Sequence, residues 1–190
     1  MQLCLASSRE KNESLVGDEL VKSPSFLSTH GVTIDKSPVA VWPWLVQMGQ
    51  GRGGFYSYTA VENLFGCRMK NANQLYPHWQ DISAGDTIQL HPRFAPLSVK
   101  CLQEGDNLVL YQMGKAVWSW VFVLRPSINR KTGGQSTRLL IRTRVRFSQK
   151  ILDRLTWPAM KFGHYVMERR MLLGIKQRAE SIGCDKKTGE

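Results

Sequence analysis

The chain has 190 residues and a mass of 21.6 kDa, the size of one ordinary domain. Its hydrophobic fraction of 42% can fill a core, and no apolar run approaches the ~18 residues that a membrane span needs. The formal net charge of +11 lies wholly in the last third, because residues 1–124 hold 10 Lys/Arg and 10 Asp/Glu whereas residues 125–190 hold 16 and 5.

Residues 1–29 are rich in Ser, Glu and Lys and lack sustained periodicity. They are expected to form a mobile N-terminal tail with a short helix near Leu15–Val21. Arg9, Glu10, Lys11, Glu13, Asp18, Glu19 and Lys22 interrupt any apolar h-region, so no ordinary signal peptide is expected. A folded domain over residues 30–182 follows, with 183–190 as a C-terminal tail. It opens with a short strand at Gly31-Val-Thr-Ile-Asp35. Ser37 and Pro38 then have the chemistry of an N-cap and first helical position, starting a helix over Val39–Met48 with Pro43 inside it.

Gly49-Gln-Gly-Arg-Gly-Gly54 is the strongest loop signal in the chain. A second short helix is predicted over Thr59–Phe65, ending at Gly66. After a long connection through Pro77-His-Trp-Gln-Asp81, strands are predicted at Thr87–His91, Leu97–Gln103, Asn107–Met113, Val117–Pro126 and Thr137–Phe147. Pro92/Pro96, Gly105-Asp106, Gly114 and Asn129–Gly134 supply turn chemistry between them. Consecutive hairpins make an antiparallel sheet. The last strand alternates cleanly: Arg138, Arg142, Arg144 and Arg146 share one face, expected in solvent, and Leu139, Ile141, Thr143, Val145 and Phe147 share the other. Its neighbour carries Trp118, Trp120, Phe122 and Leu124 on one side and Ser119, Val121 and Val123 on the other, so it is apolar nearly all round.

The chain ends in helix, predicted as Gln149–Trp157 and a second piece from Pro158 to about Ile182. Met160, His164, Met167, Met171, Gly174, Ile175 and Ile182 form one stripe of it. A hairpin sheet and one long apolar helix bury their faces only against each other, which gives an α+β fold with a ligand cavity between the layers.

The motifs exclude several chemistries. Gly49-x-Gly51-x-x-Gly54 has the letters of a dinucleotide fingerprint, but a helix precedes it where a strand is required. No Gly-Lys-Ser/Thr, Gly-x-Ser-x-Gly or His-Glu-x-x-His occurs, and Ser8-x-x-Lys11 and Lys131-Thr-Gly133 stand without the Ser-Asp-Asn that would give them meaning. Cys4, Cys67, Cys101 and Cys184 are far apart, with no C-x-x-C, so neither a metal site nor a disulfide framework is encoded. Reduced thiols and a cytoplasmic location are expected, without a cofactor. The basic third has no nucleic-acid motif beside it, so no nucleic-acid partner is expected, and it is assigned at most weak contact with anionic membrane.

Residues 31–182 resemble the SRPBCC superfamily, the START-like or helix-grip proteins that include polyketide cyclases. The matching residues are Val41-Trp-Pro-Trp-Leu-Val-Gln-Met-Gly49, Gly51-Arg52, Gly54-Phe-Tyr-Ser-Tyr58, Glu62-Asn63, Pro77, Trp79-Gln-Asp81, Gly85-Asp86, Trp118-Ser119-Trp120, Thr137-Arg-Leu-Leu-Ile-Arg142 and Val166-Met-Glu-Arg-Arg-Met-Leu-Leu-Gly-Ile-Lys176. The resemblance implies a curved antiparallel sheet wrapped around the C-terminal helix, with two short helices after the first strand, and a pocket for a lipid, polyketide or terpenoid. It carries no catalytic signature over.

Two functions therefore stand from the sequence: binding of a hydrophobic small molecule, and a polyketide cyclase or aromatase activity. The expected cavity measures at least a few hundred Å³. Its candidate ligand-binding residues are Arg52, in a mobile lip, with Tyr56, Tyr58, Trp79, Trp118, Trp120, His164, Met167 and Met171. His164 and Glu168 lie i, i+4 on one helix, and with Glu62 and His91 they are the candidates for acid/base work.

Overall fold

A computed structural model describes residues 3–64, 66–114, 116–147 and 151–181, with side chains from residue 161 onward in the last stretch. In chain order the elements are α1 (Ser8–Asn12), β1 (Phe26–Ile34), α2 (Pro38–Val46), α3 (Thr59–Leu64), β2 (Thr87–Ile88), β3 (Leu97–Gln103), β4 (Asn107–Met113), β5 (Ala116–Ile128), β6 (Gln135–Phe147) and α4 (Ile151–Ser181). Two 3-10 turns, Asp18–Leu20 and Pro77–Trp79, lie between them. The strands form one antiparallel sheet in the order β1-β6-β5-β4-β3-β2. Consecutive hairpins build β2 to β6, and β1 closes the far edge on β6. With α4 gripped by the sheet and α2 and α3 after β1, this is the helix-grip, α+β architecture.

Alternation sets the two faces of the sheet. The inner face presents Trp120, Phe122, Leu124, Leu139 and Ile141, which share one core with Met171, Leu172, Ile175 and Ala179 of α4 and with Trp44 and Leu45 of α2. β1 puts His30, Val32 and Ile34 on that side, since His30 pairs across from Ile141. Thr143 also points inward, toward Glu168 of α4, and Arg138, Arg142, Arg144 and Arg146 point away, so the predicted register of β6 holds.

The outer face is not in solvent. The segment expected to be a mobile tail packs across it. Ser7 and Glu10 close a capping box on α1. The Cys4 carbonyl accepts the Gly31 N–H at the β1 edge, and Leu15 joins Val109, Val121, Val123 and Leu140 in a second apolar cluster. Arg142 is only 2% exposed. It donates to the backbone carbonyls of Glu10, Lys11 and Glu13, to Asp18 Oδ2 at 2.7 Å and to Thr29 Oγ1 at 3.1 Å. Arg138 pairs with Glu10, Arg125 with Glu13, and Arg144 with Asp18. A strand apolar on both faces needs two covers, and residues 3–22 are the second one. The boundary at residue 30 consequently cuts through β1, which starts at Phe26.

The predicted bounds shift elsewhere by small amounts. Ser37 occupies the N-cap of α2 but its side chain makes no capping bond, and Pro38 takes the first turn. The expected break at Pro158 is absent: α4 is one helix from Ile151 to Ser181. Proline's fixed φ suits a helix and only one backbone bond is lost. The side chain of Met160, together with Phe65, Gln149, Ile182 and the predicted tail 183–190, lies outside the described residues.

Candidate functional site

The site begins with a chain reversal. Gly49 and Gly54 bridge to each other, and Gly54 has φ +74°, where a Cβ would run into Asn71 and the Lys70 carbonyl. The following residues alternate about the backbone. Tyr56 turns into the core, donates its hydroxyl to the Trp44 carbonyl at 3.0 Å and accepts from Gln47 Nε2 at 2.9 Å. Burial pushes its phenol far up, so it stays protonated. Phe55 and Ser57 turn the other way, toward the sheet and α4. Gly174 makes this possible, because a Cβ there would collide with the Tyr56 carbonyl. Ser57 then donates to the Met167 carbonyl at 3.1 Å, tying the segment to α4.

Between this segment, α3, β5 and α4 lies a pocket of about 170 Å³. Phe55, Trp118, Trp120, Met167 and Met171 make its apolar wall, with Leu90 after β2, and Ser57, Glu62, His164 and Glu168 bring polar groups to it. Phe55 packs on Trp120 with ring centroids 5.8 Å apart, and Trp118 lies 6.1 Å from Trp120. This volume falls short of the few hundred Å³ expected, because the Trp120 and Phe55 rings occupy space that a wider cavity would leave open.

Glu168 anchors the polar wall. It is 3% exposed. Oε1 accepts from Thr143 Oγ1 at 3.0 Å and from Trp120 Nε1 at 3.3 Å. Oε2 meets His30 Nδ1 and lies 3.4 Å from His164 Nε2. Ser28 Oγ is 3.2 Å from the same His164 nitrogen. Burial drives the Glu168 carboxyl up, but the hydrogen bonds and positive charge of His164 and His30 outweigh it and hold the group well below the usual carboxylate range. A buried anion is tolerable only when paired and hydrogen-bonded in this way. His164 therefore stands at the pocket wall oriented by an ionised carboxylate, an arrangement capable of proton transfer.

Glu62 is the opposite case. It is 7% exposed, and its Oε2 finds no hydrogen-bond partner among the described residues. Burial pushes its carboxyl up. Trp118 Nε1 is likewise without a partner among the described residues.

Of the residues proposed from the sequence, the pocket brings together Trp118, Trp120, His164, Met167, Met171, Glu62 and Glu168. Four others lie elsewhere. Arg52 is not on a lip: its guanidinium donates to the carbonyls of Val46 at 3.0 Å and Trp79 at 2.7 Å, pinning the glycine loop down. Tyr56 is a core buckle. Tyr58 is exposed, with the Arg170 guanidinium 5.7 Å from its ring centre. Trp79 meets the His78 ring edge-on and the Tyr76 ring at a tilt, at its 3-10 turn. His91 also lies away from the pocket, in the loop after β2, where its Nδ1 accepts from the Arg93 N–H at 3.0 Å. Sequence reasoning missed Phe55, Ser57 and Leu90, and missed Ser28 and His30 behind His164. The alternation Phe26, Ser28, His30, Val32, Ile34 was the available signal for the last two.

No family model matches the chain, and no curated protein matches it. Several solved structures are similar in part. They include TTHA0849 from Thermus thermophilus, with TM-score 0.43 and 11% identity over 83% of this chain and 99% of that one. Ara h 8.0201 gives 0.40 and 8% over 82% and 98%, and SA2116 from Staphylococcus aureus gives 0.40 and 12% over 82% and 97%. The fold assignment rests on the sheet order and the gripped helix described above. Among the described residues, no helix is long and apolar enough to cross a membrane.

Proposed function

We propose that the protein binds a compact hydrophobic small molecule in the pocket between sheet and α4, as a member of the SRPBCC class that the sequence resembles. The observation that carries this reading is the pocket itself: an apolar, aromatic wall interrupted by a few convergent polar groups is the usual make-up of a ligand site. Its size narrows the ligand. A dry cavity of about 150 Å³ accepts benzene, so 170 Å³ suits a single ring, or one end of a longer polyketide or terpenoid. Calorimetric titration with toluene tests the reading. Saturable binding to the natural chain, and its loss when Met167→Trp fills the pocket while the far-UV spectrum stays native, is the expected outcome. Absence of toluene binding to the natural chain overturns it.

A second reading, acid/base catalysis of the polyketide-cyclase type, is favoured by one observation. His164 lines the pocket and is backed by the Glu168 carboxylate, which holds its Nε2 side. That is the pairing a general acid or base needs.

A further inference from the structure

The polar groups of the pocket differ in what they lack. Glu168 is saturated by Thr143, Trp120, His30 and His164, and any positive charge on the two imidazoles faces that carboxylate. Glu62 has no such set. It reaches the pocket from α3 while more than nine-tenths buried, its Oε2 has no partner among the described residues, and no Lys or Arg is among the pocket's lining residues. A buried carboxylate left without a counter-charge is costly. Phe55, Trp118 and Trp120 line the same pocket, and aromatic rings attract a cation to their faces through their quadrupoles. A carboxylate ligand would bring a second negative charge to this carboxyl with no cation to receive it. A neutral ligand would leave the ionised form of Glu62 uncompensated, which burial already disfavours.

We infer that the ligand carries a positively charged amine on a body about the size of one ring, with its ammonium placed against Glu62. This inference rests on the pocket being a ligand site. The ammonium pairs with the Glu62 carboxylate, a small turn of which brings the unpartnered Oε2, covered in this structure, to the ligand, and the aromatic wall covers both the ring and the cation. Glu62 thus sets the charge specificity of the site, and the Trp118–Trp120 wall sets its shape.

Four matched probes separate the proposals: benzylamine, benzyl alcohol, benzoate and toluene, titrated calorimetrically at neutral pH. Benzylamine is expected to bind about tenfold or more tightly than benzyl alcohol, the low end of what a close, desolvated charge pair contributes. Benzoate is expected not to bind. In E62Q the advantage of benzylamine over benzyl alcohol is expected to vanish. If toluene binds but benzylamine binds no more tightly than the alcohol, or if its advantage survives in E62Q, the cation inference is overturned and the pocket reading stands. If toluene does not bind, the hydrophobic-ligand reading falls, and if benzylamine does not bind either, the cation inference falls with it. Should E62Q not fold, the ranking of the four probes on the natural chain decides alone.

Discussion

Arg142 is a guanidinium buried under a segment that contributes mostly backbone carbonyls. Its five donors are matched to three carbonyls, Asp18 and Thr29. Removing it strands those acceptors and leaves Asp18 with Arg144 at 3.3 Å as its remaining ion pair. Arg142→Ala is expected to cost about 3–5 kcal/mol, the range for breaking a buried pair, measured by chemical denaturation. Glu168 makes a second prediction at this scale. Its folded pKa lies below its ordinary 4.5, toward about 2. The unfolded chain therefore takes up the proton first as the pH falls. The contribution is complete above about 4.5 and is lost as the pH drops toward 2. Glu10, held down by Arg138, acts with the same sign in the same window. The fall in stability between pH 4.5 and 2 should thus be shallower in Glu168→Gln than in the natural chain, measured as denaturation midpoint against pH with Glu10→Gln as the comparison. The facing of such residues was legible in sequence: the two-residue period placed Arg142 opposite Thr143 correctly. That the arginine face was covered was not legible, because periodicity reports which residues share a face and not what lies over it.

At the scale of elements, two features fix how the layers pack on the sheet. One is the N-terminal cover, residues 3–22. Leu15 is its apolar plug, buried against Val109, Val121, Val123 and Leu140. Leu15→Ala should cost about 2–5 kcal/mol, as at other core leucines, a loss that a mobile tail would not produce. The other is the approach of α4 to Tyr56 at Gly174. Gly174→Ala forces a Cβ into the Tyr56 carbonyl and should destabilise the fold by about 1–3 kcal/mol. Gly163, on the same helix, faces open space, so Gly163→Ala should instead stabilise by up to about 1 kcal/mol. Thermal melts of the two variants moving in opposite directions would check both. Strands β3 to β6 were legible because turn residues punctuate alternating runs. The pocket residues near 55–58 were read one position out of phase. Tyr56 and Tyr58 look like wall residues by type, but the reversal at Gly54 points Phe55 and Ser57 inward instead. Nothing in composition fixes that phase, since it follows from a backbone turn and from where Gly174 lets the helix approach.

For the whole molecule, the sheet, the gripped helix and the N-terminal cover leave an aromatic pocket with a saturated carboxylate on one wall and an unpartnered one on another. The arginine excess of the last third is partly met on the outer face, where Glu10, Glu13 and Asp18 pair with Arg125, Arg138, Arg142 and Arg144. The central claim is that the space between Trp118, Trp120 and Met167 receives a ligand. The indole N–H resonances of Trp118 and Trp120, followed by NMR during a toluene titration, test it most directly. Saturable shifts at these two, with Trp42, Trp44 and Trp79 unmoved, are the predicted result. No saturable shift at Trp118 or Trp120, or equal shifts at all five, would contradict it.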